Sequence, residues 1–458
     1  FDSNAAAVSS DVVLIDNTGS AATTQSFTGT TGVNNFTGGE GNDSFDFSTA
    51  ASFQDIDAVD GAGGTDTITI SYAGTASLKP DLENVEVNVI SNTGTAATTL
   101  TINAVDTANG YDTITNLSSV GAVTINNLQS LPSLIKMNNS GDDLTIDLEE
   151  AALAGDADNL NVTVSGTGTS TKLIITADGT VNLETLTLNS TAQANTITTL
   201  TTADVDVTKL VVTGDQGITI TDALSAEITE VDASAHSGTT GLTLSAAPGY
   251  ATGITFTGGA GADAMTGTAG IDNISGGAGN DTITMTALTA TDTIDGGAGV
   301  DTISTDQGFA SATILGGVSN VETIASTGSV TIALSENISA TTFDFTDTTD
   351  NVLTLDEGYT NATTVILSTY LAGDTTNPAD GVTNLANVDL TVQASTLGLD
   401  TELTLTGGTG TDSLIISQTA SSGNGTATID SDITCFENIT ITDTAGNNTG
   451  GVTVNASS

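Results

Sequence analysis

Between residues 95 and 250 apolar and polar positions alternate in short runs: TTLTINA, YDTITNL, GAVTINNL, DLTIDL, NLNVTVSG, TKLIITA, TLTLNS, KLVVTG, GITITDA and GLTLSA. A period of two places every second side chain on one face, the mark of a half-buried strand. The runs recur about every 10 to 20 residues, a spacing that fits either a β-solenoid or packed sandwiches. From Lys209 onward one rung follows another without a break, which favours the solenoid. Helix is scarce; DLEEAALAG (147–155) predicts about two helical turns or, alternatively, a solenoid corner.

A nine-residue repeat follows. From Gly258 the chain reads GGAGADAMT, GTAGIDNIS, GGAGNDTIT, then two extra residues, Met285 and Thr286, a glycine-free ALTATDTID (287–295) and a final GGAGVDTIS (296–304). Isolated copies stand at 38–46 (GGEGNDSFD), 61–69 (GAGGTDTIT) and 407–415 (GGTGTDSLI), with decayed copies at 29–37 and 249–257. Glycines permit a tight turn and close backbone approach, an Asp ends the turn, and the apolar residue two places later enters a core. Stacked coils set each turn over the turn two repeats later, so pairs of carboxylates and several carbonyl oxygens converge. Such carboxylates repel unless a cation lies between them, and oxygen-only ligation selects calcium over zinc or copper.

This pattern resembles the RTX calcium-binding nonapeptide, a repeat known as a parallel β-helix signature. The resemblance implies a β-roll whose interior is filled by Met265, Ile274, Ile283, Ile294 and Ile303. It implies several calcium ions held by Asp263, Asp272, Asp281, Asp292 and Asp301 with the turn glycines Gly258, Gly261, Gly267, Gly270, Gly276, Gly279, Gly296 and Gly299. Asp263 is expected over Asp281, Asp281 over Asp301, and Asp272 over Asp292 on the other edge, the insertion being absorbed as a bulge. Asp43, Asp66 and Asp412 are further candidates in the isolated copies, where the partner turn is not visible in sequence.

A longer module links the copies. Leu82-Glu83-Asn84-Val85, Val318-Ser319-Asn320-Val321 and Phe436-Glu437-Asn438-Ile439 each follow a glycine copy, and Leu385-Ala386-Asn387-Val388 has no such copy before it. Asparagines stacked at a solenoid corner can bond neighbouring backbone. The rungs leading into the repeat block resemble those of bacterial surface-layer proteins of the RTX type. The expected fold is therefore all-β, a right-handed parallel β-solenoid or RTX β-roll, with β-sandwich portions left open. Expected segments are 1–94 with two RTX-like copies, 95–248 of solenoid rungs, 249–304 as the calcium β-roll, 305–406 of further solenoid, and 407–458 with the last copy and terminal strands.

Composition narrows the function. The 458 residues hold 55 Asp plus Glu against 4 Lys plus Arg, a formal net charge of -51, so nucleic acid and anionic lipid are excluded as expected partners. About a fifth of positions are Thr, which suits strands. No apolar run reaches the roughly 18 residues of a membrane span. One cysteine excludes an intrachain disulfide, and a start at Phe1 reads as a processed chain or a segment of a longer one. With one His, no Arg, no paired metalloprotease histidines, no G-x-S-x-G and no Trp for sugar stacking, no enzyme activity is expected. His236 is expected exposed in a turn and Cys435 buried beside a strand. Asp55, Asp57 and Asp60, and Asp156, Asp158 and Asn159, resemble calcium loops locally but read more simply as part of a solvated acidic surface.

The resemblance implies a structural protein of a Gram-negative cell surface, exported by type I secretion, folding outside the cell with calcium and assembling with itself into a surface lattice (S-layer), with a surface polysaccharide as a possible anchor. A fragment of an RTX adhesin or biofilm-matrix protein is the alternative. A stabilising domain of an RTX enzyme is a third reading and requires a catalytic domain outside these residues.

Overall fold

The computed structural model describes residues 13–16, 23–49, 52–104, 110–153, 155, 157–167, 171–179, 182–202, 205–246, 249–308, 312–334, 338–346, 350–355, 359–367, 381–384, 390–394, 404–408, 410–418, 426–429, 433–443 and 453–456. It is all-β, a parallel β-solenoid, in two compact units: residues 1–247 with 259–261, and residues 248–258 with 262–458.

In the first unit one ladder runs through Ser26–Thr28, Ser44–Phe47, Thr67–Tyr72, Val87–Asn92, Thr113–Leu117, Leu134–Asn138, Asn159–Ser165, Thr185–Thr191, Lys209–Gly214 and Glu230–Asp232. The returning strands of the coils build shorter ladders. The first is Val13–Asp16 to Asp81–Glu83, the next Ala76–Leu78 to Thr199–Thr201, and the third begins at Asn195–Ile197. Every alternating run named above between 95 and 250 is a strand. All described pairs are parallel, so no sandwich portion occurs among the described residues. In most of the described strands alternate positions are buried, and identical positions stack: Phe27, Phe45 and Ile68 form one inward column. Phe27 and Phe45 stack at 4.9 Å with 9° between ring planes, and Phe47 meets Phe53 edge-on at 5.1 Å.

In the second unit Thr255–Thr257, Asn273–Ser275, Thr293–Asp295 and Val318–Ser319 form one ladder. Ala262–Thr266, Thr282–Thr284, Thr302–Thr305, Thr323–Ser326, Thr342–Phe345, Thr363–Leu367, Leu390–Ala394, Ser413–Gln418 and Asn438–Asp443 form the facing one. Met265, Ile283, Ile303, Ile324 and Phe343 share one buried column, and Phe256, Ile274 and Ile294 another. Outside, Thr282, Thr302, Thr323, Thr342, Thr364 and Thr391 lie in register, a row of β-branched neighbours that favours the extended backbone. The insertion leaves the ladder register intact: Met285 is buried and its N–H donates to the Ser304 carbonyl at 2.8 Å.

Of the two readings of 147–155 the corner holds and the helix does not: strand Leu144–Leu148 is followed by a single 3₁₀ turn, Glu150–Leu153, that buries Leu153. The Asn387 module lies outside the described residues.

Candidate metal centre

Each glycine turn is shaped by what lies over it. A Cβ on Gly258 would strike the Gly276 carbonyl oxygen, one on Gly276 the Gly296 oxygen, and one on Gly296 the Asn320 oxygen. Gly267 is covered by the Met285 sulfur, and Gly261 and Gly270 press on the preceding coil at Gly238 and Gly253. At Gly258, Gly276 and Gly296 the first glycine is thus required by the backbone of the next coil, not by its own conformation.

The Asp ending each turn is buried: Asp43, Asp66, Asp263, Asp272, Asp281, Asp292, Asp301 and Asp412 are all at most 2% exposed. They form ladders. The Asp263 N–H donates to Asp281 Oδ1 at 2.7 Å and the Asp281 N–H to Asp301 Oδ1 at 2.8 Å. On the other edge the Ile254 N–H donates to Asp272 Oδ1 at 2.8 Å, and Asp272 N–H to Asp292 Oδ1 at 2.9 Å. The stacking therefore follows the order read from the repeats, through coils of 18 and 20 residues. The copies at 38 and 61 also stack, since the Asp43 N–H donates to Asp66 Oδ1 at 2.6 Å. Asp412 takes the Leu390 N–H at 2.9 Å.

The second carboxylate oxygen divides the turns into two kinds. In Asp43, Asp272, Asp292 and Asp412 it accepts an N–H of its own turn, from Gly39, Thr268, Thr289 and Gly408 at 2.7, 2.9, 2.7 and 2.5 Å. In Asp66, Asp281 and Asp301 the residue four places earlier is left-handed, Ala62 at φ 67° and Gly277 and Gly297 at φ 100°, and the fourth-place glycines Gly64, Gly279 and Gly299 are left-handed too. The turn amides then face elsewhere, and Oδ2 of all three is buried without a hydrogen-bond partner. Among the described residues the one other such carboxylate oxygen is on Asp142, outside these turns.

Charge follows geometry. Burial pushes the Asp281 carboxyl up to about 6, against a bond from the Asp263 amide, and the charges of Asp263 and Asp301 push the same way as burial. Asp66 is likewise raised to about 6 by burial, with Glu86, Asp43 and Asp60 adding to the rise and the Asp43 amide opposing it. Asp301 is raised by burial, then by Glu322 and Asp295, with the Asp281 amide opposing. Partnerless carboxylate oxygens in crowded anionic turns are what a hard cation with oxygen ligands satisfies, so these residues fit calcium. No three acidic, His or Cys side chains among the described residues cluster as a metal cage, so an ion bound here would draw its remaining ligands from backbone carbonyls.

The left-handed backbone at Ala62, Gly277 and Gly297 sets the kind of turn and was not legible in the residue types, since Gly39 and Gly408 hold the same place in turns of the other kind. Glutamates were also missed. Where a ladder ends, the Asp66 N–H donates to Glu86 Oε2, Asp301 N–H to Glu322 Oε2 and Asp412 N–H to Glu437 Oε2, each at 2.8 Å. The corner residue two before each Glu is left-handed: Asn84 at 51°, Asn320 at 50° and Cys435 at 62°. Cys435, not Asn438, therefore matches Asn84 and Asn320, and the third module as read from sequence was three residues out of step.

Cys435 is accordingly exposed, because it occupies a corner and not a strand. His236 is buried, at 1% exposure, with Nε2 2.8 Å from the Gln216 carbonyl of the coil before it. Gly238 makes room for the ring, since a Cβ there would meet His236 Cε1. Asp55, Asp57 and Asp60 point to separate donors: Asp55 accepts Lys79 N–H, Asp57 accepts Asn34 and Gln54 N–H, and Asp60 accepts Ala62 N–H and the Asn84 side chain. Asp158 takes the Gly155 N–H at 3.2 Å, while Asp156 lies outside the described residues. No protein-family model matches this chain, and no curated protein matches it in sequence.

Proposed function

We propose that the chain is a structural protein of a bacterial surface layer, folded around calcium and assembled with its own copies into a two-dimensional lattice. The observation that carries the reading is the stacked pair of Asp281 and Asp301, each buried with one carboxylate oxygen lacking a donor. A divalent ion there supplies the missing partner and removes repulsion between coils. Asp66 in its own stack is the third such position. Asp272, Asp292, Asp43 and Asp412 have turn donors already, which favours the Asp281–Asp301 edge as the site of the tightest calcium.

A net charge of -51 keeps copies apart in low salt. Monovalent salt screens that repulsion, whereas a divalent ion is shared by oxygens of two surfaces. The test is light scattering with negative-stain microscopy of the purified chain. Ordered arrays are expected in millimolar calcium and dispersed chains in chelator or in sodium chloride alone. A chain that folds with calcium yet stays monomeric at high concentration is instead the adhesin or biofilm-matrix fragment.

A further inference from the structure

We infer that Glu86 and Glu322 are metal ligands that complete a terminal calcium site at the end of each ladder, with Asp66 and Asp301 respectively, while Glu437 is only a hydrogen-bonding cap. This rests on the calcium reading above and extends it to side chains outside the repeat.

Within the ladder the N–H of one Asp is held by the carboxylate of the next. At its end the place of that carboxylate is taken by Glu: the Asp301 N–H reaches Glu322 Oε2 at the same 2.8 Å at which the Asp281 N–H reaches Asp301 Oδ1. The backbone around it is matched as well. Gly276 is bordered by Asp281 Oδ2 and the Gly296 carbonyl oxygen, and Gly296 by Asp301 Oδ2 and the Asn320 carbonyl oxygen. Gly61 is bordered in the same way by Asp66 Oδ2 and the Asn84 oxygen. Each junction thus repeats the arrangement of the interior step, with Glu in place of Asp and the left-handed Asn carbonyl in place of that of glycine. Asn84 is held by its side chain on Asp60 Oδ1 at 2.9 Å, and Asn320 on Asp295 Oδ1 at 2.8 Å, which fixes the corner that delivers the longer glutamate.

A cap needs only an acceptor, and a carboxamide serves as well. What points to a cation is the second oxygen: Asp66 and Asp301, both fully buried, each keep an Oδ2 without a partner. Asp412 has the same Glu neighbour, but its Oδ2 takes the Gly408 N–H. The third junction is therefore an internal control.

The experiment is calcium titration of the full chain by calorimetry, with terbium luminescence as a second readout, on wild type and on Glu86→Gln, Glu322→Gln and Glu437→Gln. Glutamine keeps the acceptor for the Asp amide and removes the charge, and circular dichroism at saturating calcium checks that each variant folds. Glu86→Gln and Glu322→Gln should each weaken one calcium by about tenfold or more, with Glu437→Gln titrating as wild type. If the wild type binds calcium and all three variants match it, or Glu437→Gln loses as much as the others, the glutamates are caps and the inference is overturned while the calcium reading stands. If the wild type binds no calcium, both fall.

Discussion

At the scale of single residues, the sign of a substitution depends on whether calcium is present. In chelator Asp281 holds a buried carboxylate with one unsatisfied oxygen, so Asp281→Asn should leave the melting temperature unchanged or raise it; in calcium the same change should lower it. Asp272→Asn should destabilise in both conditions by about 1 to 3 kcal/mol, because an amide NH₂ would face the Thr268 N–H. Thermal melts of the two variants with and without calcium separate these outcomes. The raised carboxyls give a pH dependence of the same origin. Asp66 and Asp281 bind protons more tightly folded than unfolded, at about 6 against 3.8. Their contribution to the calcium-free chain is therefore full below pH 3.8 and lost as pH rises through about 6. Calcium needs the ionised form, so its stabilisation should grow over the same interval, and melts from pH 4 to 7 in chelator and in calcium should have opposite slopes. Ala62 sits left-handed where the other turns of its kind carry Gly277 and Gly297. Ala62→Gly should stabilise by about 0.5 to 1 kcal/mol in denaturant unfolding, the relief of strain exceeding the entropy lost by glycine.

At the scale of the coil, the narrow interior has no slack. Ile283 is buried at 0% and Ile271, in a neighbouring turn, is 68% exposed. Ile283→Ala should cost about 2 to 5 kcal/mol and Ile271→Ala under about 0.5, measured by chemical denaturation. The nine-residue period made this legible: it gave the strands, the buried column through Met265, Ile283 and Ile303, and the order in which the Asp residues stack. It did not distinguish the turn of Thr268 from that of Gly277, because both fit a glycine-rich pattern and only the backbone angle turns the amide away from the carboxylate. The corner module was misread at Cys435 for a related reason. What recurs there is a left-handed residue followed two places later by Glu, and its side chain need not be Asn. His236 was misplaced because its hydrophilic surroundings in sequence give no hint that the ring slips between coils.

For the whole chain, stability is a sum over stacked coils and the contacts between successive ones, so it should be graded in calcium and not all-or-none. Melts followed by circular dichroism across a calcium titration should shift upward progressively, with magnesium producing far less because it gives up its water shell reluctantly. A coincident loss of all β signal at one threshold concentration would show instead that the coils behave as one block. The ladders also have a direction. In every Asp step the donor amide belongs to the earlier coil and the accepting carboxylate to the later one, from Asp263 through Asp281 and Asp301 to Glu322. A chain cut just before Glu322 therefore leaves the Asp301 amide without its acceptor, whereas a chain begun just after Asp281 leaves Asp301 Oδ1 without its donor. Each coil's Asp amide is thus satisfied by the coil that follows it, and the glutamate corner works as the full stop of that series.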